Sequence, residues 1–366
     1  MIYYRAILSE LSRPFLMTFG VISFLLLMGK IQRMVTWMVD KRLDVDEVML
    51  MFVYLLPSTF SFTIPLGVLG AVFMVVIRHS LDSELISYQA AGLSLRQYSK
   101  PFVTFGWTTA FITLFLTLLV QPLFNRKFLE LQVQIIKSHA EDSLIPGEFN
   151  YDFGGKVIRI QDRNQAGEFV SVFLADRELN NGSSVIMADR GNIAVDEGFK
   201  KVIFKLQGGT IYTPQKEAGQ LVTTHFDSLD YVLTLPTSLN VDTEEVELNW
   251  TIPTWELVRQ VSRLDSGDVY NYTPLAFELF NRLTVPWICL AFALAAIPLA
   301  VVDPRSGRSG GYLRAIFLVM VYYLLWIGCR DLILAAKAPG LLLFSPAVAI
   351  WVYGWRRLKK MDRQVG

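Results

Sequence analysis

The run Val48-Met-Leu-Met-Phe-Val-Tyr-Leu-Leu-Pro-Ser-Thr-Phe-Ser-Phe-Thr-Ile-Pro-Leu-Gly-Val-Leu-Gly-Ala-Val-Phe-Met-Val-Val-Ile77 contains no charged residue. A helix rising about 1.5 Å per residue needs about 20 apolar residues to cross a hydrocarbon core about 30 Å thick, and this run exceeds that. Comparable runs extend from Pro14 to Trp37, Pro101 to Leu123, Leu275 to Val302 and Tyr312 to Leu334. A sixth, Leu341 to Trp355, is shorter, but Arg356, Arg357, Lys359 and Lys360 follow it and can snorkel to a headgroup layer. The composition agrees, since 52% hydrophobic and 18% charged residues over 366 positions is too apolar for a soluble multidomain chain. The expectation is an α-helical membrane protein with six transmembrane helices. The first run is too long for a signal-peptide core and lacks a small-residue cleavage site, so it reads as a retained span.

Short-loop basic residues set the orientation. Arg5 and Arg13, then Arg78, Arg96 and Lys100, then Arg305, Arg308 and Arg314, and finally the basic tail all fall on one side of a six-span topology. That side is expected to be cytoplasmic, with both termini inside. The loop after the first span carries Lys41 and Arg42 among Asp40, Asp44, Asp46 and Glu47, and the long insert after Leu123 then lies outside. A net charge of +1 gives no basic excess to meet phosphates, so nucleic acid is not an expected partner.

The insert opens with an amphipathic stretch, Arg126 to His139, in which Phe128, Leu131, Ile135 and Ile136 recur at helical spacing. Alternating runs follow at Lys156–Ile160, Phe169–Leu174, Ser184–Met187, Lys201–Leu206 and Leu221–Phe226. Gly154-Gly155, Asn181-Gly182, Glu197-Gly198 and Gly208-Gly209 read as turns between them. Short strands so punctuated predict an all-β sandwich or jelly-roll-like domain. A helix from Thr254 to about Leu264 leads back to the membrane. The organisation expected is 1–123 for spans one to three, 124–272 for the strand domain with flanking helices, and 273–366 for spans four to six and the tail.

Nothing in the chain has the pattern of a catalytic centre. It has no phosphate-binding loop, metal-ligand spacing or nucleophile elbow, and His79, His139 and His225 are scattered. Ser306-Gly-Arg-Ser-Gly-Gly311 follows a span and lacks the lysine of a phosphate loop, so it reads as a flexible connection. Cys289 and Cys329 lie in apolar runs and form no disulfide framework. The chain is expected not to be an enzyme by itself and to hold no cofactor.

Three polar features stand out. Between spans two and three, Ser80 can cap a short helix of about residues 80–92, with Asp82 and Glu84 in its first turn and Gly92 at its end. Ser94-Leu-Arg-Gln97 then fits a capping box. Such a helix would lie along the membrane surface with Leu85, Ile86 and Tyr88 available to a partner, although an ordinary polar connection fits the pattern as well. Lys30 and Arg33 share a face in the outer half of span one, where they could hold an anionic lipid group or simply snorkel. Glu278 and Arg282 form an i,i+4 pair that reads as mutual neutralisation. Pro57 and Pro65, with Pro286 and Pro298, are expected to break or kink spans two and four.

Met1-Ile-Tyr-Tyr-Arg5, Ser83-Glu-Leu-Ile-Ser-Tyr-Gln-Ala-Ala-Gly-Leu-Ser94 and Pro298-Leu-Ala-Val-Val-Asp-Pro-Arg-Ser-Gly-Arg308 resemble the LptF/LptG permeases of the ATP-driven lipopolysaccharide exporter. The resemblance covers essentially the whole chain, and the last segment is nearer to the LptF branch. It implies a bacterial inner-membrane permease that extracts lipopolysaccharide, with a periplasmic jelly-roll-like domain passing it to an LptC-like bridge. It further implies that the helix of about residues 80–92 is the coupling helix seated on an LptB-like ATPase dimer, Glu84 being its acidic contact. ATP and magnesium would be bound by that partner. Lys30 and Arg33 would meet lipid phosphates or core charges, and spans one and five would gate laterally against an LptG-like second permease. No role attaches to Arg305 or Arg308. An LptG-type paralogue, a secondary transporter and a membrane-anchored scaffold are the competing readings. The second would place ionisable groups near the bilayer midplane, where this sequence has few, and six kinked spans are excessive for the third.

Overall fold

The structure, a computed structural model, describes residues 2–41, 44–142, 144–153, 156–164, 167–176, 184–195, 202–214, 221–233, 249–263, 269–302, 309–335 and 339–365. The chain divides into a helical unit, Met1–Phe128 with Glu245–Gly366, and a strand unit, Leu129–Glu244. The helical unit begins with α1 (Ile2–Lys41), α2 (Val45–Leu81), α3 (Glu84–Ala90) and α4 (Leu95–Phe115). One π-helical turn, Leu116–Val120, carries α4 without a break into α5 (Gln121–Asp142). The amphipathic stretch is therefore the continuation of the third span. After the strands come a 3-10 turn, Asn249–Thr251, then α6 (Thr254–Arg263), α7 (Val269–Ala300) and α8 (Ser309–Leu334). A 3-10 turn, Gly340–Phe344, leads into α9 (Ser345–Val365).

Among the described residues, 5 helices are long and apolar enough to cross a membrane: Tyr3–Gln32, Val45–Leu81, Leu95–Ile135, Thr273–Ala300 and Gly311–Leu334. The expected sixth, α9, is helical but falls short of that apolar length, because the basic stretch begins at Arg356. The prolines do not interrupt their helices. α2 runs through Pro57 and Pro65, and α7 through Pro274, Pro286 and Pro298.

Lipid tails are as apolar as leucine, so helices in a bilayer gain little by burying apolar surface and associate by close packing and interhelical hydrogen bonds. α2 and α7 are largely buried and form the middle of the unit, whereas α1 and α8 expose Leu16, Phe24 and Met28, and Leu313, Phe317 and Leu324. Small residues set the approach. A Cβ on Gly106 of α4 would stand 2.8 Å from the Ala293 methyl of α7, and one on Gly70 of α2 would stand 2.7 Å from Thr18 of α1. In α9, Ala347, Ile350, Gly354 and Leu358 recur at helical spacing and belong to the core. A Cβ on Gly354 would lie 2.8 Å from the Ala295 Cα and 2.9 Å from its backbone nitrogen, so α9 lies backbone to backbone on α7.

In the strand unit the predicted runs all appear, as β2 (Lys156–Arg163), β3 (Phe169–Asp176), β4 (Ser184–Val195), β5 (Val202–Pro214) and β6 (Leu221–Leu233), preceded by β1 (Phe149–Phe153). They form one antiparallel sheet in the order β1-β2-β3-β4-β5-β6. The all-β, antiparallel character is as expected. Among the described strands each pairs with its sequence neighbours, so the order is a meander, whereas a jelly roll pairs strands distant in sequence. Gly208-Gly209 is not a turn but lies inside β5. Gly208 has φ +60° and Ser171 φ +52°. The ladder skips Gln161 opposite Ser171, Asp189 opposite Gly208, and Asp227, so one interruption crosses five strands and creases the sheet. Gly209 takes part because a Cβ there would sit 2.3 Å from the Met187 carbonyl oxygen. One face packs Ile158, Ile160, Val172, Leu174, Ile186, Phe204 and Leu206 into a core. The paired Gly154-Gly155, Asn181-Gly182 and Glu197-Gly198 lie outside the described residues.

Gly354→Ala is expected to destabilise the chain by about 1–3 kcal/mol, because the added methyl meets backbone that cannot turn aside. Gly20→Ala, where a Cβ meets nothing within 4 Å, is expected to be neutral or slightly stabilising. Thermal unfolding of both variants in one detergent checks the pair, and equal midpoints would contradict the α7–α9 contact.

Candidate functional site

α2 does not stop at Ser80. The Ser80 hydroxyl donates to the Val76 carbonyl at 2.9 Å, is buried, and belongs to the last turn of α2. The expected cap thus fails because a serine bonded back to residue i−4 continues a helix. The chain turns at Asp82 and Ser83, Ser83 taking φ 57°, and α3 runs only from Glu84 to Ala90. Gly92, with φ +81°, closes it as expected. The capping box at the next helix also forms. Gln97 N–H donates to Ser94 Oγ at 3.2 Å and Ser94 N–H to Gln97 Oε1 at 3.2 Å. Leu95 N–H donates to Asp362 Oδ1 of α9 at 2.9 Å, and the Arg96 guanidinium lies 5.0 Å from the centre of the Trp355 ring.

The faces of α3 divide sharply. Leu85 is buried in the chain's own core and is not available to a partner, and Tyr88 packs edge-on to His79 at 6.0 Å between ring centres. Ile86 is 56% exposed, and the Glu84 side chain 43%. The inward hub of the segment is His79, fully buried at the end of α2. Its Nδ1 lies 2.7 Å from the Tyr98 hydroxyl of α4, and its Nε2 lies 3.1 Å from Glu10 Oε2 of α1 and 3.3 Å from Glu84 Oε2 of α3. Arg78 pairs with Glu10 beside it. Four helices therefore meet at one imidazole. Sequence reading set His79 aside as one of three scattered histidines, and its only local signal was its place next to Arg78 before the acidic turn.

At the other end of the α1–α2 pair, Lys30 Nζ donates to Ser58 Oγ at 3.3 Å and Thr59 Oγ1 at 2.9 Å. These hydroxyls also donate to the Leu55 carbonyl. The arrangement places two hydroxyl oxygens of α2 around the ammonium. Arg33 has its backbone within α1, and its side chain lies outside the described residues, as do Arg305 and Arg308.

Glu278 and Arg282 do pair, at 2.8 Å, but they do more than neutralise each other. Arg282 is buried and uses all five of its donors. Besides Glu278, Nη1 donates to the Ile252 carbonyl at 2.8 Å and Thr254 Oγ1 at 3.0 Å, and Nη2 to the carbonyls of Asn249 at 3.2 Å and Trp250 at 3.1 Å. The Thr254 hydroxyl donates in turn to the Leu118 carbonyl in the π turn at 2.6 Å, and Thr117 to the Arg282 carbonyl at 3.1 Å. A π turn shifts backbone pairing and leaves carbonyls for such outside donors. The guanidinium fastens the segment by which the chain re-enters the helical unit. Among the described residues no group of His, Cys, Asp and Glu could hold a metal ion.

Bilayer-length helices, a short helix between the second and third of them and an antiparallel sheet inserted in the chain before the fourth are the build of a polytopic membrane protein. Residues 5–360 match the family described as lipopolysaccharide export system permease LptF/LptG, and the chain belongs to that family. It is similar to the lipopolysaccharide export system permease protein LptF of Escherichia coli strain K12, with 22% identity over 329 residues, covering 89% of this chain and 85% of that one. The corresponding proteins of Escherichia coli O157:H7 and Shigella flexneri match equally, at 22% identity and the same coverage.

Arg282→Met is expected to cost about 3–5 kcal/mol, since it strands the buried Glu278 carboxylate and four acceptors. The double variant Glu278→Leu with Arg282→Met is expected to recover part of that loss in thermal unfolding. A double variant no more stable than Arg282→Met alone would show that the backbone acceptors, and not the charge, carry the node.

Proposed function

We propose that the chain is a transmembrane subunit of an ATP-driven exporter that lifts lipopolysaccharide out of the bacterial inner membrane and passes it to a periplasmic bridge protein. The subunit does no hydrolysis. An LptB-like ATPase dimer binds ATP and magnesium, an LptG-like chain completes the cavity and an LptC-like protein receives the lipid. Both termini and α3 are cytoplasmic and the strand unit periplasmic.

The observation that carries this reading is the pairing of α1 with α2, which has α3 at one end and Lys30 at the other. α3 is fastened to the helices by Leu85 and Tyr88 while Ile86 faces outward and Glu84, half-exposed, has one carboxylate oxygen near His79. A short rigid helix so held moves the spans when a nucleotide-driven partner moves it. Glu84 and Ile86 supply its contact with the ATPase. Between Thr59 and His79, α2 rises about 30 Å, the thickness of the hydrocarbon core. Lys30 and Arg33 would therefore stand at the outer rim, where they meet the phosphates of an anionic glycolipid. The exposed apolar faces of α1 and α8 form the gates against the second permease and open laterally to acyl chains.

Co-purification from detergent with the neighbouring subunits, followed by mass spectrometry for proteins and lipids, tests the assembly. Glu84→Ala is expected to lower ATPase recovery about tenfold while lipopolysaccharide recovery holds, as loss of a charged contact desolvated at an interface does. Lys30→Ala with Arg33→Ala is expected to do the reverse. Recovery of the folded chain with bulk phospholipid alone, or insensitivity to both changes, would favour a membrane-anchored scaffold.

A further inference from the structure

We propose that His79 is a positioning residue that ties the seating of α3 on its partner to the position of α1. The proposal rests on the reading of Glu84 as the contact of α3 with the ATPase. Its basis is a shortage of donors. Nε2 faces carboxylate oxygens, which can only accept, so the ring hydrogen is assigned to Nε2, and Nδ1 then accepts from the Tyr98 hydroxyl 2.7 Å away. That single N–H is hydrogen-bonded to Glu10 Oε2 at 3.1 Å, while Glu84 Oε2 stands 3.3 Å from the same nitrogen as a competing acceptor. His79 is buried to 0% exposure, so the ring exchanges hydrogen bonds with protein groups and not with water. Arg78 supports Glu10 from the other side.

Glu84 is the more accessible member, with a side chain 43% exposed against 20% for Glu10. When a basic site on a partner takes its carboxylate, the Nε2 hydrogen passes wholly to Glu10, and α1 closes on the end of α2. When Glu84 returns, the hydrogen is shared and α1 is released. α1 is bound along α2 by Thr18 to the Gly67 carbonyl at 3.1 Å, Ser23 to Thr63 at 3.0 Å and Lys30 to Thr59 at 2.9 Å. A shift at Glu10 is therefore carried along the pair as far as Lys30.

The chain has three histidines, which makes the imidazole observable. In nanodiscs holding the full permease pair, this chain is labelled with nitrogen-15 histidine, His79 is assigned from His79→Gln, and unlabelled ATPase dimer is added. The Nε2 resonance of His79 is expected to move on binding, and a bound ATPase that leaves it unmoved overturns the proposal. In the functional arm, His79→Leu is expected to keep ATPase recovery and hydrolysis while lipopolysaccharide released per ATP falls about fivefold or more. His79→Gln retains a donor near the Nε2 position and is expected to restore most of that loss. Glu10→Gln, a change on α1 that leaves the imidazole itself in place, is expected to uncouple as His79→Leu does. Loss of ATPase recovery in His79→Leu equal to that in Glu84→Ala would make His79 only a support for α3, and normal coupling in Glu10→Gln would break the link to α1. Either result overturns the proposal. Wild-type ATPase recovery in Glu84→Ala instead overturns the premise about Glu84, and is read separately from the resonance of His79.

Discussion

The helical unit depends on how closely other backbones approach α7. In lipid no large hydrophobic term pulls helices together, so dispersion contacts and short interhelical distances must suffice. α7 meets this with Ala291, Ala293, Ala295 and Ala296, all buried, against Gly106 of α4 and Gly354 of α9. Those approaches bring α9 alongside although its apolar length is short. They thereby deliver Asp362 to the first turn of α4 and Trp355 to Arg96. The fastening of α4 just after α3 thus follows from small side chains lying far away in sequence.

α1 and α2 obey a different rule. Their contacts are polar and regularly spaced, from Glu10 with His79 through Thr18 with Gly67 and Ser23 with Thr63 to Lys30 with Thr59. In hydrocarbon each such group finds a protein partner or costs several kcal/mol, so the register of the pair is strongly fixed. A hydroxyl sliding by one turn would lose its acceptor. The pair behaves as one antiparallel rod whose ends reach the opposite edges of the core.

Much of this architecture is written in local pattern. Apolar length gave the spans, alternation gave β2 to β6, and Ser94 with Gln97 gave the start of α4, because each rests on neighbours within a few residues. What stayed hidden is tertiary. Ser80 has the composition of a cap, and only its bond to Val76 within a continuing helix shows that it is not one. Gly208-Gly209 has the composition of a turn, and its place inside β5 follows from the close approach of the Met187 carbonyl. His79 draws partners from residues 10, 84 and 98, and Arg282 from residues 249 to 254, so neither role has a short-range signature. Leu85 looked like a docking residue because a short amphipathic segment does not say which side its own protein occupies.

The two polar nodes also differ in kind. Arg282 has as many acceptors as donors, all five matched, and removing any partner leaves a buried group unsatisfied at about 1–3 kcal/mol. Such a node has one arrangement of low energy and acts as a fixed joint. His79 has one hydrogen on Nε2, bonded to Glu10, with the Glu84 carboxylate of another helix standing 3.3 Å away. The Arg282 node holds the re-entering chain still, and on the reading proposed for His79 the end of α2 is where contacts can be exchanged.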